Sequence, residues 1–301
     1  MMKVYMPTRP AQIKEINTMK TLRLPVLTFL ILAASINARS QYLKRTLSSI
    51  KETNMELSTK SAHYIPVFGA GDDSSSLIKG LVRFGNLNLD PFGGSESVNY
   101  ADEEHVIYVL EGTAILKYAM MEVPVSRNDF IYIPAGTRFS LSNPREIKLS
   151  VLVMGFRIMQ GNTVKPSAGM MIASADEVSF QILGSHGPTT KFQLLMGTTE
   201  STRDKLAASC QVNSLFVMDF AAGGTNIPHR HDDEEEIYFI LRGKGDIVAG
   251  ETRDGKEFRH PSGEGDVYFF SPKTLIGFYS GNTECEEHAR ILAVRFKYPS
   301  Q

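Results

Sequence analysis

From residue 80 onward, apolar runs of four to eight residues recur between turn-forming stretches. They are Val106–Leu110, Phe130–Ile133, Leu149–Phe156, Leu215–Phe220, Ile237–Leu241, Val267–Phe270 and Ile291–Phe296. Gly, Pro, Asn and Asp punctuate them. Short, evenly spaced strands with turn signals predict an all-β sandwich or barrel. The segment 41–62 is polar and is read as a helix or a loose arm.

The pattern repeats. Glu103-Glu104-His105-Val106-Ile107-Tyr108-Val109-Leu110-Glu111-Gly112 lies over Glu234-Glu235-Glu236-Ile237-Tyr238-Phe239-Ile240-Leu241-Arg242-Gly243 at an offset of 131 residues. Asp129-Phe130-Ile131-Tyr132-Ile133 lies over Asp266-Val267-Tyr268-Phe269-Phe270 at an offset of 137. The second copy therefore carries six extra residues, placed near Ala249–Lys256, where Gly250 and Asp254-Gly255 signal turns. Two copies of one β unit account for 301 residues better than one large sheet. The linker is expected around Gln160–Ala168.

The N-terminus follows another rule. Lys20 and Arg23 precede the apolar run Leu24–Ala34, and the small residues Ser35, Ala38 and Ser40 follow. That is the order of a secretory signal, with cleavage expected after Ser40 and Met19 as the true start. Residues 1–18 then lie upstream of that start. The run is about half the roughly 20 residues a membrane span requires. The chain is expected to be secreted or periplasmic, with no membrane span once the signal is removed. Cys210 and Cys285 are the only cysteines, so two readings stand: a disulfide in an oxidising compartment, or two buried thiols. A formal net charge of -1 and the lack of a basic tract with interleaved aromatics set nucleic acid aside.

Chemistry concentrates in Gly223–Gly243, which reads GGTNIPHRHDDEEEIYFILRG. His229 and His231 are two apart, so on a strand both face one side. Two converging imidazoles suit a divalent transition metal. Glu236, at the mouth of a strand that reads as buried on both faces, closes the set, because a buried carboxylate requires a cation or a donor. Glu235 is the fallback ligand. Asp232, Asp233, Glu234 and Glu235 read as a solvated turn, and Lys273 and Arg230 as surface charges or as holders of a carboxylate substrate. Asp129 and Asp266 read as structural turn residues.

These residues resemble the cupin family. Gly223, His229, His231, Glu236 and Gly243 match its first motif, and Gly265 opens the second. Ser271 and Lys273 stand where the second motif has Pro and Gly, and Ile276 stands where it has its last ligand, a histidine. His260, His288 or water is expected to answer for that missing donor. In the first copy Pro134, Gly136 and Asn143 follow the second motif, with Asn128 at its opening Gly and Phe139 at the histidine. Val98 and Tyr100 occupy the two histidine positions of the first motif there, and His105 the glutamate position. The resemblance covers Ser61 to Lys297 and implies a bicupin, two tandem double-stranded β-helix (jelly-roll) barrels. They are placed at 41–160, metal-free with an apolar interior, and at 161–301, metal-binding.

The metal is expected to be one divalent ion, Fe, Mn, Ni, Cu or Zn, on His229, His231 and Glu236. Two functions remain open. One is a metal-dependent dioxygenase, decarboxylase, isomerase or lyase acting on a small organic molecule, with Glu235, His260 or Tyr238 as acid–base candidates. The other is a non-catalytic small-ligand or sugar binding protein. Tyr238, Tyr268, Phe269, Phe278 and Tyr279 read as core packing or as the wall of a pocket. A small molecule is the expected partner, and the chain is expected to be a monomer or a homodimer.

Overall fold

The recurring apolar runs become strands of four sheets in a computed structural model that describes residues 41–281 and 288–299. The segment expected to be a secretory signal, residues 1–40, and Cys285 lie outside the described residues. Cys210 is buried, and burial pushes its thiol up to about 12. No helix among the described residues is long and apolar enough to cross a membrane.

The architecture is all-β, two jelly-roll barrels in tandem. In the first, the large sheet has the strand order Met171–Ser174, Asp129–Ile133, Glu103–Glu111, Leu149–Arg157, Leu81–Leu89, Ala62–Gly69. It closes on the small sheet Met121–Ser126, Thr113–Tyr118, Phe139–Ser142. In the second, the large sheet has the order Tyr42–Thr46, Asp266–Phe270, Glu234–Arg242, Arg290–Lys297, Val212–Phe220, Thr190–Thr198, Leu206–Ser209. Its small sheet is Thr225–His229, Ile276–Ser280, Lys244–Glu251, Glu257–Gly263. The six extra residues lengthen the Lys244–Glu251/Glu257–Gly263 hairpin relative to its counterpart, Thr113–Tyr118/Met121–Ser126.

The first six strands of the second order match those of the first one for one, Leu206–Ser209 being added at its end, and the edge strands Tyr42–Thr46 and Met171–Ser174 are exchanged. Residues 42–46 pair antiparallel with Asp266–Phe270 of the second barrel. Residues 171–174 pair with Asp129–Ile133 of the first. The polar segment after residue 41 thus begins as a strand, neither helix nor loose arm. Lys44 and Thr46 fasten it to Asp266, at 3.2 and 2.6 Å. Asp266 also accepts the Gly263 N–H, as Asp129 accepts that of Ser126, so both are turn residues.

Alternation divides each central strand between two cores. Ile107 and Val109 point into the first barrel, and Tyr238 and Ile240 into the second. Val106 and Tyr108 join Ile237 and Phe239 in a third core between the two large sheets, where Phe156 meets Phe296 at 5.2 Å. A pair of buried carboxylates at matched positions spans that interface. Glu235 accepts the backbone N–H groups of Lys79 (2.9 Å) and Gly80 (2.6 Å), from the first barrel. Glu104 accepts those of Cys210 (3.1 Å) and Gln211 (2.8 Å), from the second. All six residues obey the 131-residue offset. A side chain at Gly80 would meet the Lys297 carbonyl oxygen at 2.3 Å, so close approach of the two chains requires glycine there.

Burial raises Glu235 to about 7 against the pull of its two N–H donors, from an ordinary value of 4.5. The folded state therefore holds this proton where the unfolded chain has released it. The contribution of Glu235 to stability is largest below about 4.5 and declines as pH rises through about 7. Thermal melts of Glu235→Gln are expected to fall less over this window than those of the wild type. Parallel pH profiles would contradict the assignment.

Candidate metal centre

The strand Thr225–His229 delivers His229 at its last residue, and the chain then turns, so that His231 lies just beyond the strand. Glu236 enters from Glu234–Arg242, where it pairs with Phe270 on one side and Arg295 on the other. One nitrogen of each histidine and one oxygen of Glu236 lie within 4.8 Å of one another. Among the described residues this is the one group of three or more His, Cys, Asp or Glu side chains that gathers so closely.

The hydrogen bonds around the group decide what it presents. His229 Nδ1 lies 2.9 Å from the Ile227 carbonyl oxygen, which only accepts, so Nδ1 carries the proton and Nε2 a lone pair. His231 Nδ1 lies 3.4 Å from Glu234 Oε2, and a proton held there leaves its Nε2 with a lone pair. Arg295 Nη1 is 3.5 Å from His231 Nδ1, the longer of the two contacts, and Arg295 Nε is 3.1 Å from Glu234. The two Nε2 atoms then face each other at 3.1 Å, and His231 Nε2 is 3.3 Å from Glu236 Oε2. That oxygen is buried and has no hydrogen-bond donor. Two imidazole lone pairs and one orphaned carboxylate oxygen converge, a donor set that suits a divalent transition metal. Burial pushes His229 below its ordinary value, which keeps the imidazole neutral and able to ligate.

The three atoms line a small recess of about 30 Å³, which adjoins a surface cleft of about 510 Å³ bounded by Ile182, Leu183, His186, Arg203 and Arg295. Leu183, Phe192, Leu194 and Phe216 form the apolar walls of the recess, and His186, Arg203, Ser214, Asn226, Tyr238 and Arg295 its polar ones. Ile276 is buried and pairs in register with His229, so an apolar side chain stands where the fourth ligand was sought. Neither proposed substitute reaches the group. His260 sits on the outer edge strand of the small sheet, against Tyr42 at 5.1 Å. His288 is exposed and 4.0 Å from Asp219.

The acid–base candidates separate likewise. Glu235 points away from the recess because it neighbours Glu236 on one strand, and its oxygens are taken by Lys79 and Gly80. His260 is outside the recess. Tyr238 is inside it, with its hydroxyl accepting a hydrogen bond from Asn226 at 3.0 Å and held protonated by burial well above its ordinary range. Arg230 and Lys273 form an outer brace: Arg230 donates to the Lys273 carbonyl at 2.5 Å and pairs with Glu251 at 2.7 Å. The acidic run divides, with Asp232 and Asp233 exposed, Glu234 on Arg295 and Glu235 buried.

Two residues of the recess carry no motif. His186 comes from the short helical turn Gly184–His186, with its Nδ1 2.7 Å from Asn226 Oδ1 and its ring 4.9 Å from that of His229. Nothing in its sequence surroundings marks it. Arg295 was legible as a charge interrupting the apolar run Ile291–Phe296.

In the first barrel the corresponding space is filled. His105 is buried between Tyr100 (4.7 Å) and Phe139 (5.5 Å), with Glu103 3.5 Å from its Nε2. Arg83 binds both oxygens of Glu103, at 3.0 and 3.2 Å, and lies over the Tyr100 ring at 4.1 Å. One imidazole faces two aromatic rings and an ion pair.

Comparison with known proteins agrees with the duplicated architecture. The cupin domain family model matches twice, at residues 87–155 and 216–295. Germin-like protein subfamily 2 member 4 of Arabidopsis thaliana is 34% identical over 86 residues, which is 29% of this chain and 38% of that protein. The chain thus matches well under half the length of that curated relative. A putative glyoxylate-induced protein from Pseudomonas aeruginosa superposes with a TM-score of 0.69 at 12% identity, covering 87% of this chain and 91% of its own. A bacterial pirin from Escherichia coli in complex with nickel(II) superposes at 0.61 with 14% identity, covering 86% of this chain and 100% of its own. At these identities the structural likeness speaks for the fold.

If Glu236 is the charged ligand, metal at a hundredfold excess over its Kd stabilises the wild type by ~2.7 kcal/mol. Glu236→Gln is expected to lose most of that gain while keeping the metal-free melting temperature or raising it. Equal metal-induced shifts in the two proteins would remove Glu236 from the centre.

Proposed function

Because this chain belongs to the cupin superfamily, with two cupin domains in tandem, we propose that its C-terminal barrel holds one divalent transition metal and acts with it on a small organic molecule. His229, His231 and Glu236 are the ligands, and Fe, Mn, Ni, Cu or Zn is the ion. The orphaned Glu236 oxygen facing two imidazole lone pairs carries this reading. The nickel-bound pirin supports it at the level of the fold.

A bound ion supplies Lewis acidity at its open positions. The chain's own residues supply the rest. Ile227 and Glu234 orient the two imidazoles. Ile276 leaves one side of the group without a protein donor and keeps it apolar. Phe192, Leu194 and Phe216 exclude water from the inner wall. The Tyr238 phenol, fixed by Asn226 and held protonated, is a hydrogen-bond donor toward the recess. His186, tied by Nδ1 to the same Asn226, presents its other nitrogen as the acceptor.

A second reading, a non-catalytic binder of a small ligand, has one observation on its side. Of the three acid–base candidates marked in sequence, only the phenol Tyr238 lines the recess.

The purified chain is expected to carry close to one equivalent of metal. His229→Ala with His231→Ala abolishes it, and His105→Ala leaves it intact. Elemental analysis finding equal metal in the double variant refutes the assignment.

We also propose that the protein is exported, on the strength of the basic, apolar and small-residue order from Lys20 to Ser40. N-terminal sequencing of secreted material should begin at Gln41. A start at Met1 or Met19 speaks against export by this signal.

A further inference from the structure

The recess around the proposed metal has a charge imbalance that identifies its ligand. Three charged side chains line it: Glu236, Arg203 and Arg295. Each arginine has one carboxylate behind it, Glu234 3.1 Å from Arg295 Nε and Asp204 3.5 Å from Arg203 Nε. Those pairs cancel and leave the single negative charge of Glu236. With imidazoles as neutral ligands, a divalent ion turns this into one net positive charge. An uncompensated charge beside apolar walls is costly, so the occupant of the remaining space is required to bring one negative charge.

The arginines are unequally committed. Arg295 is held by Glu234. Arg203 stands at the mouth with about half of its side chain exposed. Its Nη2 donates to Ser214 Oγ at 3.1 Å on the recess wall, and of the two Asp204 oxygens one accepts from Ser201 and the other has no hydrogen-bond partner. Arg203 thus has donors free to turn toward a ligand. The lip beside it carries Ile182, exposed at 56%.

We infer that the cavity takes a small organic monoanion with an apolar body, and that Arg203 selects its charge. The inference rests on the metal reading above. Leu183, Phe192, Leu194 and Phe216 receive the apolar part, and the ion and Arg203 share the anionic group. Arg230, one of the cations marked for that task in the sequence, is engaged by Glu251 and the Lys273 carbonyl.

The test is calorimetric titration of the zinc-loaded full chain with phenylacetate, its neutral amide phenylacetamide, and acetate, which lacks the apolar body. Phenylacetate is expected to bind about tenfold or more tighter than either control. Arg203→Gln should remove the preference for acid over amide while zinc content stays at the wild-type level. Arg203→Lys should retain part of that preference. Zinc bound with acid and amide equal, with acetate equal to phenylacetate, or with Arg203→Gln unchanged overturns the inference alone. A wild-type chain that holds none of Fe, Mn, Ni, Cu or Zn overturns the metal reading and this inference together.

Discussion

The strand Glu234–Arg242 buries two consecutive carboxylates on opposite faces, and the rest of the architecture answers to their neutralisation. Neither Glu235 nor Glu236 has water to solvate it, and a buried carboxylate persists only with donors or a cation. Glu235 finds donors in the backbone of the other barrel, at Lys79 and Gly80. Glu236 faces two imidazoles whose outer nitrogens are already engaged. The first requirement ties the barrels together. The second leaves a cation-shaped deficit in the interior of the C-terminal barrel.

The two barrels meet the same geometry with different chemistry. The interface carboxylates Glu104 and Glu235 remain equivalent, as do their donor pairs. The barrel mouths have diverged: Val98, Tyr100 and His105 stand where His229, His231 and Glu236 stand in the second copy. The arginine has moved with them. In the first barrel it is Arg83, register partner of Gly155; in the second the corresponding pair is Ser214 and Arg295. Arg83 brings a permanent positive charge to Glu103 and covers Tyr100, so that mouth is electrically complete on its own. Its crowding is evident at Gly155, where a side chain would meet Arg83 at 2.7 Å and His105 at 3.0 Å. Arg295 is instead offset by Glu234, and the charge of Glu236 is left over.

The fold was legible because a strand buried on both faces is written in consecutive apolar residues, and the 131-residue offset exposes the duplication. The gathering of His229, His231 and Glu236 was legible from their spacing. Exchange of the edge strands was not, since residues 42–46 and 171–174 are short and half-buried, without a distinctive pattern. Glu235 was misread for a definite reason. One position along a strand reverses the face, and the adjacent carboxylates look alike in sequence. His186 and Arg203 approach the recess from connecting segments, whose course no local periodicity records. His260 sits on a strand lengthened by the six-residue insertion, and the extra residues say nothing of which sheet edge they occupy.

The most direct test of this account is anomalous diffraction from crystals of the full chain grown with the metal it carries when purified. One peak is predicted, within coordination distance of His229 Nε2, His231 Nε2 and the Glu236 carboxylate. An occupied protein with no peak there, or with its ion bound beside His105, would contradict it.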